Sequence, residues 1–121
     1  MWLQKAATDD RSVLHQIQTH LMQLLNTRQG SVAYLPDYGM PDLNEIYQQL
    51  PESLGFLIEN VKKLIERYEP RLNQITVWPY LSNTDDSVVQ LQLQAVYSTF
   101  PISFETYFYH NGTSVVRTLP N

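Results

Sequence analysis

Tyr68-Glu69-Pro70-Arg71-Leu72 divides the sequence. Upstream the apolar residues recur at helical spacing, and downstream they alternate as in strands. Proline disfavours the α region for the residue before it, so the pattern predicts a helix ending at Glu69. Pro70 itself has a fixed φ and no backbone donor, which suits a corner. One acidic and one basic side chain, Glu69 and Arg71, flank it. These five residues are therefore a joint, and they are candidates for a contact surface as well.

Working back from the joint, Leu54, Leu57, Ile58, Val61, Leu64, Ile65 and Tyr68 make the apolar face of a long helix opened by Pro51. Glu52, Glu59, Lys62, Lys63, Glu66 and Arg67 make its wet face, with Glu59 and Lys63 spaced for an ion pair. Pro41 to Tyr47 reads as a short helix with Leu43, Ile46 and Tyr47 turned inward. Before it, Arg28 to Pro41 is rich in Gly, Pro, Asp and Tyr and reads as an ordered loop. That loop either carries function or covers one end of the core. A first helix, capped by Asp9 or Asp10, carries Val13, Leu14, Ile17, Leu21, Leu24 and Leu25 on one face and ends near Asn26-Thr27. His15 and His20 lie five apart on it, off a common face, and read as surface or boundary histidines rather than a metal clamp.

Working forward, Leu72 to Leu81 reads as a strand with Ile75 and Val77 on one side and Thr76, Trp78 and Tyr80 on the other. Pro79 marks it as an edge or a bulge. Ser82 to Asp86 reads as a turn. Val89, Leu91, Leu93, Ala95 and Tyr97 then alternate with Gln90, Gln92, Gln94 and Val96, so one face enters a core and the other meets water or a partner. Thr99-Phe100-Pro101 breaks this run. Ile102, Phe104, Thr106 and Phe108 alternate with Ser103, Glu105, Tyr107 and Tyr109, and Asn111-Gly112 signals a hairpin into a last strand from Thr113 to Leu119. The expected class is α+β: N-terminal helices packed on a C-terminal, mainly antiparallel sheet of about four strands, as one domain over residues 1–121.

Composition narrows the function. The 121 residues suffice for one core, and 43% hydrophobic with 17% charged residues is globular rather than disordered. A net charge of −4 argues against a nucleic-acid partner, which needs a basic patch. The absence of cysteine removes disulfides, thiolate metal sites and a thiol nucleophile. No signal peptide and no stretch long enough to enter a membrane is present, so a soluble cytoplasmic protein is the expectation.

Few residues in the sequence point to chemistry. Glu45, Glu52, Glu59, Glu66, Glu69 and Asp37 are the carboxylates open to acid–base work. Those on the wet helix face lack the apolar setting that raises a pKa, and Arg71 beside Glu69 favours an ionised carboxylate. No nucleophile elbow, phosphate-cradling glycine loop or zinc-binding HExxH occurs. No catalytic residue, cofactor or metal is expected.

Leu24-Leu25-Asn26-Thr27-Arg28-Gln29-Gly30-Ser31, Pro36-Asp37-Tyr38-Gly39-Met40-Pro41-Asp42-Leu43 and Glu69-Pro70-Arg71-Leu72 occur in that order. Their order and spacing resemble the baseplate-wedge family of contractile phage tails, often labelled "lysozyme-like". Within it the chain is most similar to the type VI secretion branch, the TssE subunits. The resemblance runs from about Val13 to Tyr97, and beyond Tyr97 only the strand pattern agrees. It implies a structural role: joining the baseplate wedge (TssF, TssG, TssK) to the contractile sheath (TssB, TssC), whose strand adds to the sheet edge. Such a baseplate sits at the cytoplasmic face of the inner membrane, with no insertion of this chain into it. Carried onto this sequence, the partner-binding residues are Glu69, Pro70 and Arg71, with Arg28 and Tyr38 from the two loop motifs. Pro79 and Glu105 would guard the sheet edge until the partner arrives. Three other roles remain open: a prophage tail wedge, a peptidoglycan-cleaving enzyme, and a protease anti-adaptor. The bland reading of the corner is a local network, with Arg71 on the last helix carbonyls and Glu69 on a nearby N–H.

Overall fold

The computed structural model describes residues 2–80 and 86–119, with side chains from Arg11 onward. Three helices, α1 (Trp2–Asn26), α2 (Leu43–Gln48) and α3 (Leu54–Tyr68), precede four strands. The strands are β1 (Leu72–Pro79), β2 (Val89–Tyr97), β3 (Phe100–Phe108) and β4 (Ser114–Leu119). They form one antiparallel meander in the order β1-β2-β3-β4. α1 packs over β4 and α3 over β1, so both helices cover the same face. The expected α+β layout is the observed one.

The core lies between helices and sheet. Ile17, Leu21, Leu24 and Leu25 of α1 meet Leu57, Val61, Leu64 and Ile65 of α3 over Ile75, Leu91, Leu93, Ile102, Phe104, Phe108 and Val116. Each large side chain fully removed from water contributes roughly 2 kcal/mol, which offsets the entropy of ordering the chain. Thr19 and Gln23 stay exposed on the far side of α1, as the helical spacing requires, whereas Gln16, also exposed, lies toward the corner at Arg71.

Several boundaries differ from those read in the sequence. α1 starts at Trp2 and runs through Asp9 and Asp10, because Leu, Gln, Lys and Ala upstream are good helix formers. α3 starts at Leu54 rather than Pro51. Pro51 instead sits in a turn whose carbonyl accepts the Leu54 N–H at 3.1 Å, and the Ser53 hydroxyl donates back to the Ile46 carbonyl. Glu59 and Lys63 form no ion pair, since both are exposed and water competes for each charge. The short helix forms, but over Leu43–Gln48 rather than from Pro41: the Asp42 carboxylate caps it by accepting the Asn44 N–H at 3.0 Å, Leu43 and Ile46 are buried, and Tyr47 is half-buried.

Within the sheet, β1 is an edge strand and also bulged, with the register shifting between Asn73 and Thr76 and Gln74 at φ 53. Phe100 and Pro101 begin β3 rather than interrupt the sheet, because Ser98 at φ 58 and Thr99 alone make the turn. The Asn111-Gly112 hairpin exists, but with a wider loop than the two-residue form. The Gly112 N–H bonds the Tyr109 carbonyl at 3.0 Å, and the Tyr109 N–H bonds the Thr113 carbonyl at 3.0 Å. Of the glutamines on the outer face, Gln94 is exposed but Gln90 is buried, flanked by Tyr80 and Tyr107 on neighbouring strands. Glu105 lies on β3, an interior strand, so it guards no edge. The expected turn at Ser82–Asp86 and the stop at Pro120 lie outside the described residues, except for Asp86.

Candidate functional site

α3 ends where Pro70 prevents continuation, and the Glu69 N–H closes the last turn on the Ile65 carbonyl at 2.8 Å. This geometry turns the Glu69 side chain inward, where it is 1% exposed. Burying an ionised carboxylate is costly unless every lone pair finds a donor. Here the donors converge from two elements. Arg71 gives its backbone N–H at 3.2 Å and Nε at 2.9 Å to Glu69 Oε2, and Nη2 at 2.8 Å to Oε1. His20 on α1 places Nδ1 3.0 Å from Oε1. Burial pushes the Glu69 carboxyl up, but the hydrogen bonds from Arg71 and His20 outweigh it and hold the group below its ordinary 4.5. Arg71 is in turn pushed up by its bonds to Glu69.

The corner is thus a brace between α1, α3 and β1. Arg71 Nη1 also reaches Gln16 Oε1 at 3.3 Å, so Gln16 and His20, one turn apart on α1, hold the corner together, Gln16 at Arg71 and His20 at Glu69. His20 is the residue the sequence reading missed. Its spacing from His15 was uninformative, whereas its four-residue spacing from Gln16 put the two on the face that meets the corner. The local-network reading is half right: the Glu69 carboxylate does accept a nearby N–H, that of Arg71, but the Arg71 side chain binds that carboxylate and not the last helix carbonyls. Pro70 is exposed, and Arg71 keeps part of its side chain in solvent.

Arg28 and Tyr38 lie in the loop between α1 and α2, and the two loop motifs zip together there. The Met40 N–H bonds the Thr27 carbonyl at 2.7 Å and the Gln29 N–H bonds the Met40 carbonyl at 3.0 Å, making an isolated parallel bridge. Gly39 permits it: φ is +109, and a Cβ there would stand 2.5 Å from the Thr27 carbonyl oxygen. Arg28 then reaches across to the β3–β4 hairpin, with Nη2 2.7 Å from the Gly112 carbonyl. Beside it, burial pushes the Tyr47 hydroxyl up to about 12 against a smaller downward pull from Arg28. Tyr38 packs edge-on against Tyr68, ring centroids 4.9 Å apart, next to the corner. The structure therefore packs Tyr38 on Tyr68, the residue before Glu69-Pro70-Arg71, and sends Arg28 to the hairpin instead. The tip of the loop, Tyr34, is 94% exposed.

The other carboxylates weighed for catalysis, Asp37, Glu45, Glu52, Glu59 and Glu66, are all exposed. Among the described residues, no helix is long and apolar enough to cross a membrane.

Fold and corner together define an α+β scaffold in which, among the described residues, the buried charged cluster at Glu69 is satisfied internally and stiffens a helix–strand junction. The chain belongs to the family described as "Baseplate wedge protein gp25", a family of structural baseplate components, whose model matches residues 11–101. A solved chain from "The baseplate complex from the type VI secretion system" shares this fold, with TM-score 0.67 and 19% identity over 94% of this chain and 99% of that one. No curated protein matches the sequence.

Proposed function

We propose that this chain is a structural, non-enzymatic subunit of a type VI secretion baseplate, joining the wedge to the contractile sheath. The observation that carries the reading is membership of the wedge family over residues 11–101. The fold-level likeness to a chain of a type VI baseplate complex, across nearly the whole of both chains, favours secretion over a phage tail. Residues 1–121 act as one wedge domain on the cytoplasmic face of the inner membrane. The wedge partners are TssF, TssG and TssK, and the sheath partners are TssB and TssC, received by strand addition. Main-chain pairing suits a sheath strand, because it needs no particular side chain at every position.

The corner docks on the wedge through the surfaces it leaves outside, which are Pro70, the exposed part of Arg71 and the neighbouring Tyr38. Glu69 supports the corner from within, and Arg28 holds the loop to the hairpin. A rigid corner suits a force-bearing joint. Among the described residues the one buried carboxylate, Glu69, is held ionised, opposite to what a glycosidic general acid needs, which supports the non-enzymatic reading. Pro70→Asp tests the docking, since it adds a charge outside and leaves the Glu69 network in place. Co-purification with wedge subunits is expected to fall sharply while thermal melting stays near wild type. Undiminished co-purification would overturn the docking role.

A further inference from the structure

The surface around α2 carries charge of one sign. From Gln29 to Val61 the sequence has no lysine or arginine, yet it holds Asp37, Asp42, Glu45, Glu52 and Glu59. Asp37 is answered by Arg67 at 3.3 Å. Asp42 and Glu45, at the start of α2, are exposed, and among the described residues neither is in an ion pair. Arg28, the nearest cation upstream in sequence, is turned to the hairpin by its bond to the Gly112 carbonyl. Like charges without a counter-ion repel, so this surface gains when a cation approaches.

The same surface is hollow and apolar at its centre. A groove of about 340 Å³ lies between α2 and the start of α3, lined by Pro41, Asp42, Glu45, Ile46, Gln49 and Phe56. Ile46 is buried and forms its floor, whereas Phe56 is 57% exposed. Phe56 stands on the first turn of α3, off the face of Leu57, Val61, Leu64 and Ile65, so the core of this chain does not need it. A phenylalanine exposed singly needs no account, but this one closes a groove that also holds two unpaired carboxylates.

Resting on the baseplate reading above, we propose that this groove receives an arginine-bearing segment of a neighbouring baseplate subunit. The two requirements of the groove meet in that one side chain. A guanidinium stacks its face on an aromatic ring and forks its edge onto a carboxylate, here Phe56 with Asp42 or Glu45. Its methylenes lie along apolar surface such as Pro41 and Ile46 while the charged head stays at the rim. Lysine meets the charge but not the fork. A metal ion fits less well, because among the described residues no three ligating side chains gather.

Photo-crosslinking in the assembled baseplate tests the assignment. Gln49 is exposed and lines the groove, so Gln49→p-benzoylphenylalanine places a reactive group there. Irradiation of the full-length protein with its co-expressed subunits, followed by peptide mass spectrometry, identifies the segment in contact. The expected product is a peptide of another baseplate subunit with an arginine within a few residues of the crosslink. Its yield should fall about fivefold or more when Phe56→Ser, or Asp42→Asn with Glu45→Gln, is added. Asparagine keeps the cap on the Asn44 N–H and all three side chains are exposed, so far-UV CD should not change. An undiminished yield in either folded variant would overturn the proposal. So would a crosslinked segment without arginine, or a crosslink to a second copy of this chain, and that identity decides even where a variant does not fold. If the protein joins the baseplate but gives no crosslink, the groove proposal falls while the baseplate role stands. If it does not join the baseplate, the role and the groove fall together.

Discussion

Arg71 grips the buried carboxylate of Glu69 with two side-chain nitrogens, at 2.9 and 2.8 Å, and adds its own backbone N–H at 3.2 Å. Only the planar guanidinium offers that fork, so lysine does not replace it. Arg71→Met leaves an ionised group buried with His20 as its remaining side-chain partner. The expected loss is about 3–5 kcal/mol, the usual cost of breaking a buried pair from one side. Urea denaturation measures it, and Arg71→Lys should recover only part. A loss under about 1 kcal/mol would mean the corner contributes little to stability.

The same network sets an acid limit. The folded pKa of Glu69 is held below its ordinary 4.5, so its stabilisation is present above that value. It is lost as pH falls from 4.5 through the lower folded value, where the native carboxylate is finally protonated. The melting temperature of the wild type should therefore drop more steeply on the acid side of 4.5 than that of Glu69→Gln. Glu69→Gln starts from a lower plateau near neutrality, by about 2–3 kcal/mol for the charge-assisted bonds lost. Parallel acid limbs in the two proteins would contradict the assignment.

Gly39 carries a second constraint. Any Cβ there meets the Thr27 carbonyl oxygen at 2.5 Å and its carbon at 2.8 Å, both backbone atoms that cannot swing aside. Positive φ adds to the cost. Gly39→Ala should destabilise by about 3 kcal/mol and weaken the bridge that joins the two loop motifs. Loss of protection at the Met40 amide, bonded to Thr27, is the direct readout.

Period and proline sterics made the elements legible from sequence. The spacing from Leu54 to Tyr68 and the alternation from Val89 to Tyr97 each reflect one face meeting a core, and Pro70 dictates the break between them. Hairpin order followed from the turn residues. What sequence could not deliver were contacts between distant segments. His20 and Glu69 are 49 residues apart, and Asn26 and Ser114 are 88 apart. Their pairing depends on how α1 lies across the sheet, which no local pattern encodes. The two loop motifs looked like separate signals, yet Thr27 and Met40 are hydrogen-bonded neighbours. Gln90 failed for a related reason: alternation puts it on the outer face, but neighbouring aromatics on other strands cover it.

The carboxylate chemistry makes its own prediction about the "lysozyme-like" label. Glu69 is ionised and committed to four donor contacts from Arg71 and His20, and the other carboxylates considered are in water. Purified protein should leave a peptidoglycan suspension unclarified across the neutral range. Clearing that disappears with a Glu→Gln change at one of these positions would refute the structural role.

Asn26 joins the last turn of α1 to the first residue of β4. Its amide makes both main-chain bonds of Ser114 and also donates to the Met22 carbonyl at 2.7 Å. Asparagine alone among small side chains offers a donor and an acceptor in this spacing. Asn26→Asp keeps the acceptor for the Ser114 N–H but sets a charged oxygen against the Ser114 carbonyl, while Asn26→Ala removes both bonds and uncovers the edge. The alanine variant should lose about 2 kcal/mol, and its Ser114 amide should exchange quickly. With β4 open, concentration-dependent self-association is also expected, because an unpaired edge is a template for another strand. Light scattering across a concentration series reads this directly. An Asn26→Ala protein that stays monomeric with a protected Ser114 would show that something other than this side chain closes the edge.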